Sequence, residues 1–200
     1  MNVKTYIRLS QALVIGLWLC QPLSVSGSAL TCTSIFDAAD VQDLSNWRVV
    51  GDTENLALSL SEIELTEGSL SFRGRLTEIE DAFSAVNIAI DSEVMTDADR
   101  LVLEFLPDAR SYDVTMATGL FYRNRRLTYH TALADLDAGN WVNKTVMLSE
   151  LRPVVNGHPV RAPAYEPAKT RSMYIIIHDG EPEPFELQIR SIQACHTLVE

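Results

Sequence analysis

The sequence predicts an all-β domain, and three observations support this fold class. Apolar and polar residues alternate in many short segments, as expected for strands with one buried face. Turn signals rich in Gly, Pro and Asp separate these segments. Only two short stretches, 96–100 and 149–151, favour helix. A series of strands without long helices between them is typical of a β-sandwich or a barrel.

The alternation assigns the strands in order along the chain. In residues 101–106, for example, Leu101, Leu103 and Phe105 share one face. Residues 173–177 are apolar throughout, which is typical of a strand buried on both faces. The predicted strands are 47–50, 56–60, 63–66, 69–76, 83–90, 101–106, 112–118, 127–133, 140–148, 173–177 and 185–192, with a hairpin arm and loop at 119–126 and a long Pro- and Gly-rich loop at 151–167.

Residues 1–28 have the three parts of a secretory signal peptide, which we expect to be helical. Lys4 and Arg8 supply the positive start, residues 12–20 are uncharged and apolar, and small residues that suit cleavage follow as far as Ala29. The sequence therefore predicts export, either to a periplasm or out of the cell.

Two other interpretations of this leader stay open. Cys20 follows Leu17 at the spacing of a lipidated cysteine, although Leu19 stands where a small residue is preferred. The second is an uncleaved anchor, but the apolar stretch is short for a bilayer and Pro22 interrupts it. With cleavage, we expect no stable insertion into a membrane.

Residues 29–200 have the length of one domain and can bury a sizeable core. The chain has a formal net charge of −11, and the leader contributes two cations and no acid. The domain alone is therefore more negative still. Such a domain repels phosphate backbones and anionic lipid surfaces, which argues against nucleic-acid binding.

Two cysteines remain after the leader, Cys32 near the start of the domain and Cys195 near its end. In an exported protein an even pair predicts a disulfide, and this one would tie the first strand to the last. Two free thiols are the alternative. A metal site would need more ligands at closer spacing.

A set of motifs in consistent order resembles the complex I intermediate-associated protein 30 family. The motifs are Trp-Arg-Val-Val-x-Asp at 47–52, Gly-Ser-Leu-x-Phe-x-Gly at 68–74, Tyr-Asp-Val at 112–114, Tyr129, Trp141 followed by Leu148, Leu151, Pro153 and Gly157, and Pro-Phe-Glu-Leu-x-Ile-x-x-Ile at 184–192. Together they cover residues 36–195.

The resemblance implies a jelly-roll β-sandwich of the galactose-binding-like type. The mitochondrial members of the family are assembly factors for respiratory complex I that act by binding. Together with the predicted leader, the resemblance therefore implies an exported, non-enzymatic module that binds a partner protein or acts in assembly. Because the same architecture is common among carbohydrate-binding modules, a glycan ligand is the alternative.

The chain departs from the family pattern at residues 53–59. The family has a Met-Gly-Gly-x-Ser loop there, whereas this chain reads Thr-Glu-Asn-Leu-Ala-Leu-Ser and lacks the glycines that permit a tight turn. Export is a second departure, since an exported protein cannot act unchanged in the mitochondrial matrix. Whatever relatives bind with this loop is therefore not carried over to this chain.

Aromatic residues in the second half of the chain suggest where a glycan would bind. Sugar rings stack on aromatic rings, while Asp, Asn and Arg bond the hydroxyls. Tyr112 and Tyr129 are in phase to share a sheet face, although aromatic residues on strands also commonly fill cores. The candidate ligand-binding residues are Tyr112, Asp113, Tyr122, Arg123, Tyr129 and Trp141, with Arg110 and Asn124 as further polar partners.

Structural calcium is the one cofactor that the resemblance suggests, because galactose-binding-like sandwiches often hold it. Asp37, Asp40 and Asp43 are the candidate ligands, and their spacing suits a calcium site or a surface turn. We expect no other cofactor.

No catalytic residue is assigned from the sequence. Residues 178–181, His-Asp-Gly-Glu, form its densest polar cluster, which suits a metal site, an acid–base pair or a turn after a strand. The sequence has no Gly-x-Ser-x-Gly elbow and no Gly-rich phosphate loop. An uncharacterised hydrolase therefore ranks behind both binding hypotheses.

Overall fold

The computed structural model describes residues 29–51, 60–79, 81–134 and 136–198. The predicted leader lies outside these residues, as does the predicted strand 56–60 apart from its last residue. Within the described residues the chain forms two antiparallel sheets. This confirms the all-β prediction.

The sheets contain strands from distant parts of the chain. The six-stranded sheet has the order β3 (Leu60–Thr66), β4 (Ser69–Arg75), β13 (Pro184–Thr197), β6 (Arg100–Leu106) and β9 (Val142–Met147), and β1 (Leu30–Asp37) also pairs with β13. The seven-stranded sheet has the order β11 (His158–Pro159), β10 (Arg152–Val155), β8 (Arg125–Leu133), β7 (Tyr112–Tyr122), β12 (Ser172–Ile177), β5 (Ser84–Ala89) and β2 (Trp47–Gly51).

The core lies between the two sheets, which pack as a sandwich. Buried residues of both sheets form one contiguous cluster, in which Leu103 and Ile189 of one sheet and Val114 and Ile175 of the other are at most 1% exposed. Burying such a side chain contributes about 1.5–3 kcal/mol. The alternation of apolar residues in the sequence therefore decides which face of each strand turns inward.

Cys32 and Cys195 form a disulfide, which confirms the predicted pairing. They lie directly opposite each other on β1 and β13, with their Cα atoms 4.1 Å apart. Beside them, the Leu198 amide donates to the Ala29 carbonyl at 2.9 Å. The two ends of the described chain therefore leave the sandwich side by side.

The predicted long loop at 151–167 is wrong in its first part, which forms β10 and β11. Asn156 and Gly157 both have positive φ, at 51° and 76°, and Val155 pairs directly with His158. An Asn-Gly pair in this conformation makes a two-residue hairpin turn whose twist matches that of the strands it joins. The dipeptide was a hairpin signal within a segment otherwise typical of a loop.

Two further predictions need correction. Strand β12 is buried on one face only, since alternate residues are buried and partly exposed. The short helix α1 is Ser92–Met95 rather than 96–100, because Asp91 accepts the Glu93 amide at 3.0 Å and caps the helix earlier. Single 3₁₀ turns occur at Leu148–Glu150 and Pro167–Lys169. Of the helices in the described part of the chain, none has the length and apolar character to cross a membrane.

Candidate functional site

The outer face of the seven-stranded sheet carries a line of polar side chains, which we call the polar row. Residues directly opposite one another in an antiparallel pair point to the same face. From β2 to β10, the residues in successive opposite positions are Arg48, Asn87, Tyr174, Thr115, His130 and Arg152. The row crosses six strands, which corresponds to roughly 24 Å at the usual strand spacing.

Most of the polar row is accessible. Arg48 and Arg152 are exposed and Asn87, Tyr174 and His130 are half-buried, whereas Thr115 is buried. The neighbouring outward positions include small residues, which are Ala85, Ala89, Ala117, Ala132 and Ser172. Longer side chains of the row therefore stand above their surroundings.

The side chain of Asn87 is held in place. Its amide nitrogen donates to the Met173 carbonyl at 3.0 Å. The amide oxygen keeps its capacity to accept a hydrogen bond. The face thus offers donors and acceptors at fixed positions around the Tyr174 ring.

Asp113 lies beside the row and contacts two histidines. Its Oδ2 is 2.8 Å from His178 Nε2 and 3.5 Å from His130 Nδ1. The hydrogen bond to Asp113 raises the pKa of His178, in spite of an opposing effect of burial. The only acid that the described strands place on this face is therefore shared between two imidazoles.

The polar cluster predicted at 178–181 is bonded to Arg110 of another loop. Arg110 Nη2 and Nε donate to the two carboxylate oxygens of Asp179 at 2.6 and 2.7 Å, and Arg110 also donates to the carbonyls of Glu181 and Glu183 at 2.5 Å. Burial alone would raise the pKa of Asp179, but hydrogen bonds from Arg110 and from backbone amides outweigh it and hold that pKa below its usual value. Both carboxylate oxygens of Asp179 are thus bonded to Arg110.

The predicted calcium ligands do not form a site. Asp37 Oδ1 accepts the Ala39 amide and Asp43 Oδ1 accepts the Ser45 amide, each at 2.9 Å, so both carboxylates stabilise their own turns. In the part of the chain that the structure describes, no group of three or more His, Cys, Asp or Glu side chains is arranged to hold a metal ion. The three aspartates therefore do not fit calcium as a donor set.

The placement of Tyr112 and Tyr129 on the surface needs correction, because both side chains lie in the core. They are 1% and 0% exposed, so their rings present no face to a ligand. The Tyr112 hydroxyl donates to Asp108 at 3.0 Å, and burial raises the pKa of Tyr112. The Tyr129 ring packs edge-on against Tyr165. Both fill the sandwich from β7 and β8.

The other predicted ligand residues lie at three separate places on the protein. Asp113 is on the outer face of the seven-stranded sheet, whereas Trp141 precedes β9 of the other sheet and has the Arg190 guanidinium 3.8 Å above its ring. Tyr122 and Arg123 are at the tip of the β7–β8 hairpin, where Arg123 lies 5.3 Å from the centre of the Tyr122 ring. The six residues therefore do not make one site.

A cleft of about 710 Å³ lies on the six-stranded side, away from the polar row. Arg73, Asp108 and Glu186 line it. Arg73 is already engaged by Glu62 and Glu64, each at 2.9 Å. The cleft therefore contains few uncommitted polar groups, and the polar row is the better candidate for a site.

None of the six residues of the row was predicted as a ligand contact. Arg152 was in a segment predicted to be a loop, and Tyr174 in a strand predicted to be buried on both faces. The sequence does contain a local signal, because each of the six residues directly follows a buried residue in the chain. Only the pairing of distant strands brings them into one line.

The structure is similar to several solved carbohydrate-binding modules. The family 11 module from Clostridium thermocellum, in complex with a β-1,3-1,4-mixed-linked tetrasaccharide, has a TM-score of 0.63 at 8% identity over 84% of this chain and 96% of that one. A family 30 module has a TM-score of 0.54 at 10% identity, over 84% and 99%. An agarase has a TM-score of 0.55 at 12% identity, but over only 25% of its own chain. At these identities, the similarity shows the fold alone.

The sequence comparison is more specific. No curated protein matches this sequence. The family model described as complex I intermediate-associated protein 30 matches residues 36–189, most of the chain. The match spans strands of both sheets, from the end of β1 into β13. The chain therefore belongs to the complex I intermediate-associated protein 30 family.

Proposed function

We propose that this protein is an exported, non-catalytic binding module that holds a carbohydrate on the outer face of the seven-stranded sheet. The polar row carries this proposal. An extended sugar chain presents hydroxyls along its length and C–H faces on its rings. The row offers hydrogen-bonding groups at intervals, and the half-buried Tyr174 offers a stacking surface near its middle.

The fold supports the same proposal. Carbohydrate-binding modules are among the solved structures that share this sandwich, and one of them was solved with a tetrasaccharide. Since shared fold does not by itself carry function, the proposal depends on the residues of the row. The Cys32–Cys195 disulfide supports export, because such bonds persist in oxidising compartments.

The surroundings of the two histidines support binding rather than catalysis. A nucleophile activated by histidine needs a hydroxyl or thiol within hydrogen-bonding distance of the imidazole. Among the described residues, His178 forms a hydrogen bond with the Asp113 carboxylate, and the His130 imidazole lies 3.5 Å from the same carboxylate. A hydrolase would release reducing ends from a bound polysaccharide, and we expect no such release.

A protein partner is the second candidate, and the β7–β8 hairpin favours it. Phe121 is 67% exposed at the tip, beside Tyr122 and Arg123. Exposed aromatic and arginine side chains are common at the centres of protein interfaces. If this candidate holds, cross-linking in the native host will capture a partner that Phe121→Ser loses and Tyr174→Ala keeps.

The test is a binding screen of the full chain against soluble neutral and charged polysaccharides, by affinity electrophoresis and then calorimetry. We expect Tyr174→Ala to weaken binding about tenfold, because a stacked aromatic ring contributes about 1–1.5 kcal/mol. Tyr122→Ala, at the hairpin tip, is the matched control and should bind normally. An identical screen with chelator present tests structural calcium. Failure to bind any polysaccharide would sink the proposal.

A further inference from the structure

The charge on the outer face of the seven-stranded sheet differs from that of the whole chain. Asp and Glu outnumber Lys and Arg by 27 to 16 in the sequence. On this face the described strands and the residue after β12 place Arg48, Arg152, His130 and His178, against the single acid Asp113. Both imidazoles contact Asp113, so the one acid that these strands place on the face already has neighbouring partners. We infer that the ligand of the polar row is an anionic polysaccharide, whose sugars carry carboxylate or sulfate groups.

The two arginines of the row are available to such a ligand. Elsewhere in the protein, Arg73, Arg100, Arg110 and Arg190 each form an ion pair with a carboxylate. Neither Arg48 nor Arg152 has a carboxylate partner among residues 29–51, 60–79, 81–134 and 136–198, and Arg152 donates only to the Ser149 carbonyl, at 3.3 Å. A guanidinium presents paired N–H donors that match the geometry of carboxylate and sulfate oxygens.

The spacing of the charges favours a polymer over a small anion. A small anion would need cations that converge on one point, whereas Arg48 and Arg152 stand at opposite ends of a row of roughly 24 Å. The positions between them include the uncharged Asn87, Tyr174 and Thr115. This order suits a chain in which charged groups occur at intervals along stacked and hydrogen-bonded sugars.

The negative charge of the rest of the protein does not prevent such binding. Charges further away than about 8 Å are largely screened at physiological ionic strength. Contacts made at the row are shorter than this and are screened less. Nucleic acid fits worse, because its closely spaced phosphates are bound by many cations, and the row supplies two arginines.

This inference rests on the proposed carbohydrate site, and its test separates the two. The full-length protein is titrated calorimetrically with oligogalacturonate. It is also titrated with the methyl ester of the same oligosaccharide, whose carboxyl groups carry no charge. Chondroitin sulfate and its desulfated form make the corresponding sulfate pair. We expect at least one charged form to bind about tenfold more tightly than its neutral counterpart, and the difference to shrink as NaCl is raised from 50 to 500 mM.

Arginine variants locate the effect on the sheet. Arg48→Gln and Arg152→Gln should each weaken binding of the charged form about fivefold, as expected for the loss of one exposed charge contact. Both side chains are exposed, so the fold should tolerate the change. Arg75→Gln removes the same charge from an exposed position on the six-stranded sheet, and it should bind as the wild type does.

Each of the following results would overturn the anionic ligand alone or the carbohydrate site as well. Equal binding of charged and neutral forms, with loss on Tyr174→Ala, would contradict the anionic ligand and leave the carbohydrate site standing. If Arg75→Gln reduced the preference for the charged form as much as Arg48→Gln does, the charged ligand would not be bound at the row. If an oligothymidylate bound more tightly than the charged polysaccharides, the anionic ligand would be a nucleic acid and not a polysaccharide. Absence of binding to every polysaccharide would overturn both proposals.

Discussion

Asp113 on β7 lies 2.8 Å from His178, the residue that follows β12, and this contact raises the pKa of the imidazole. The neighbouring Asp179 charge adds to the effect, whereas burial opposes it. Because the proton is held more tightly in the folded state than in the unfolded state, protonation of His178 stabilises the fold.

The first prediction concerns the pH dependence of this stabilisation. It should be fully present below the ordinary histidine pKa of about 6.5 and be lost as pH rises through the higher folded value. The melting temperatures of wild type and His178→Gln should therefore differ at pH 5.5 and converge at pH 8. His158→Gln, in an exposed strand, is the control for the loss of a histidine elsewhere on the protein. Titration of His178 by NMR at or below 6.5 would contradict the prediction.

The Arg110–Asp179 pair leads to the second prediction. The two side chains are only 10% and 15% exposed. Arg110→Met leaves Asp179 without its partner, so we expect a loss of about 3 kcal/mol in the free energy of unfolding by urea. Arg73→Met, which breaks an ion pair whose arginine is 46% exposed, should cost much less stability, because solvent screens an exposed pair. If both variants lost similar amounts of stability, the Arg110–Asp179 pair would not behave as a buried ion pair.

Removal of the disulfide gives the third prediction. The bond joins residues separated by 163 positions, and the chain-entropy model sets a ceiling of about 5 kcal/mol for a loop of that length. The double variant Cys32→Ser, Cys195→Ser should melt at a lower temperature than the wild type. Reductant should lower the wild-type melting temperature and leave that of the variant unchanged. Two free thiols in the purified wild type, found by mass spectrometry after alkylation, would contradict the pairing.

Gly74, in the family motif at 68–74, is the subject of the fourth prediction. A Cβ at this position would lie 2.3 Å from the Leu60 carbonyl oxygen, where β3 and β4 approach each other. Gly74→Ala should therefore force the strands apart and cost about 1–3 kcal/mol of stability. Gly51→Ala is the control, because among the described residues the nearest atom to its added Cβ is the Phe83 carbonyl oxygen, at 3.6 Å. Wild-type stability of Gly74→Ala would show that β3 shifts freely.

The sequence predicts local features of this protein well and non-local ones poorly. Alternation correctly placed Leu101, Leu103 and Phe105 on one face, since a strand has a period of two whatever it pairs with. It likewise put Tyr112 and Tyr129 in phase. Whether that shared face turns inward depends on the second sheet, whose strands come from other parts of the chain. The polar row is the extreme case, because its six residues meet only through five separate strand pairings.

The side-by-side exit of the two chain ends has a mechanical consequence. Tension applied through Ala29 and Leu198 reaches Cys32 and Cys195 within a few residues and passes directly across the covalent bond between them. The strands that lie between the two cysteines in the chain are then outside the path of the force. A ligand held on the seven-stranded sheet would therefore stay bound while the ends of the domain are pulled apart.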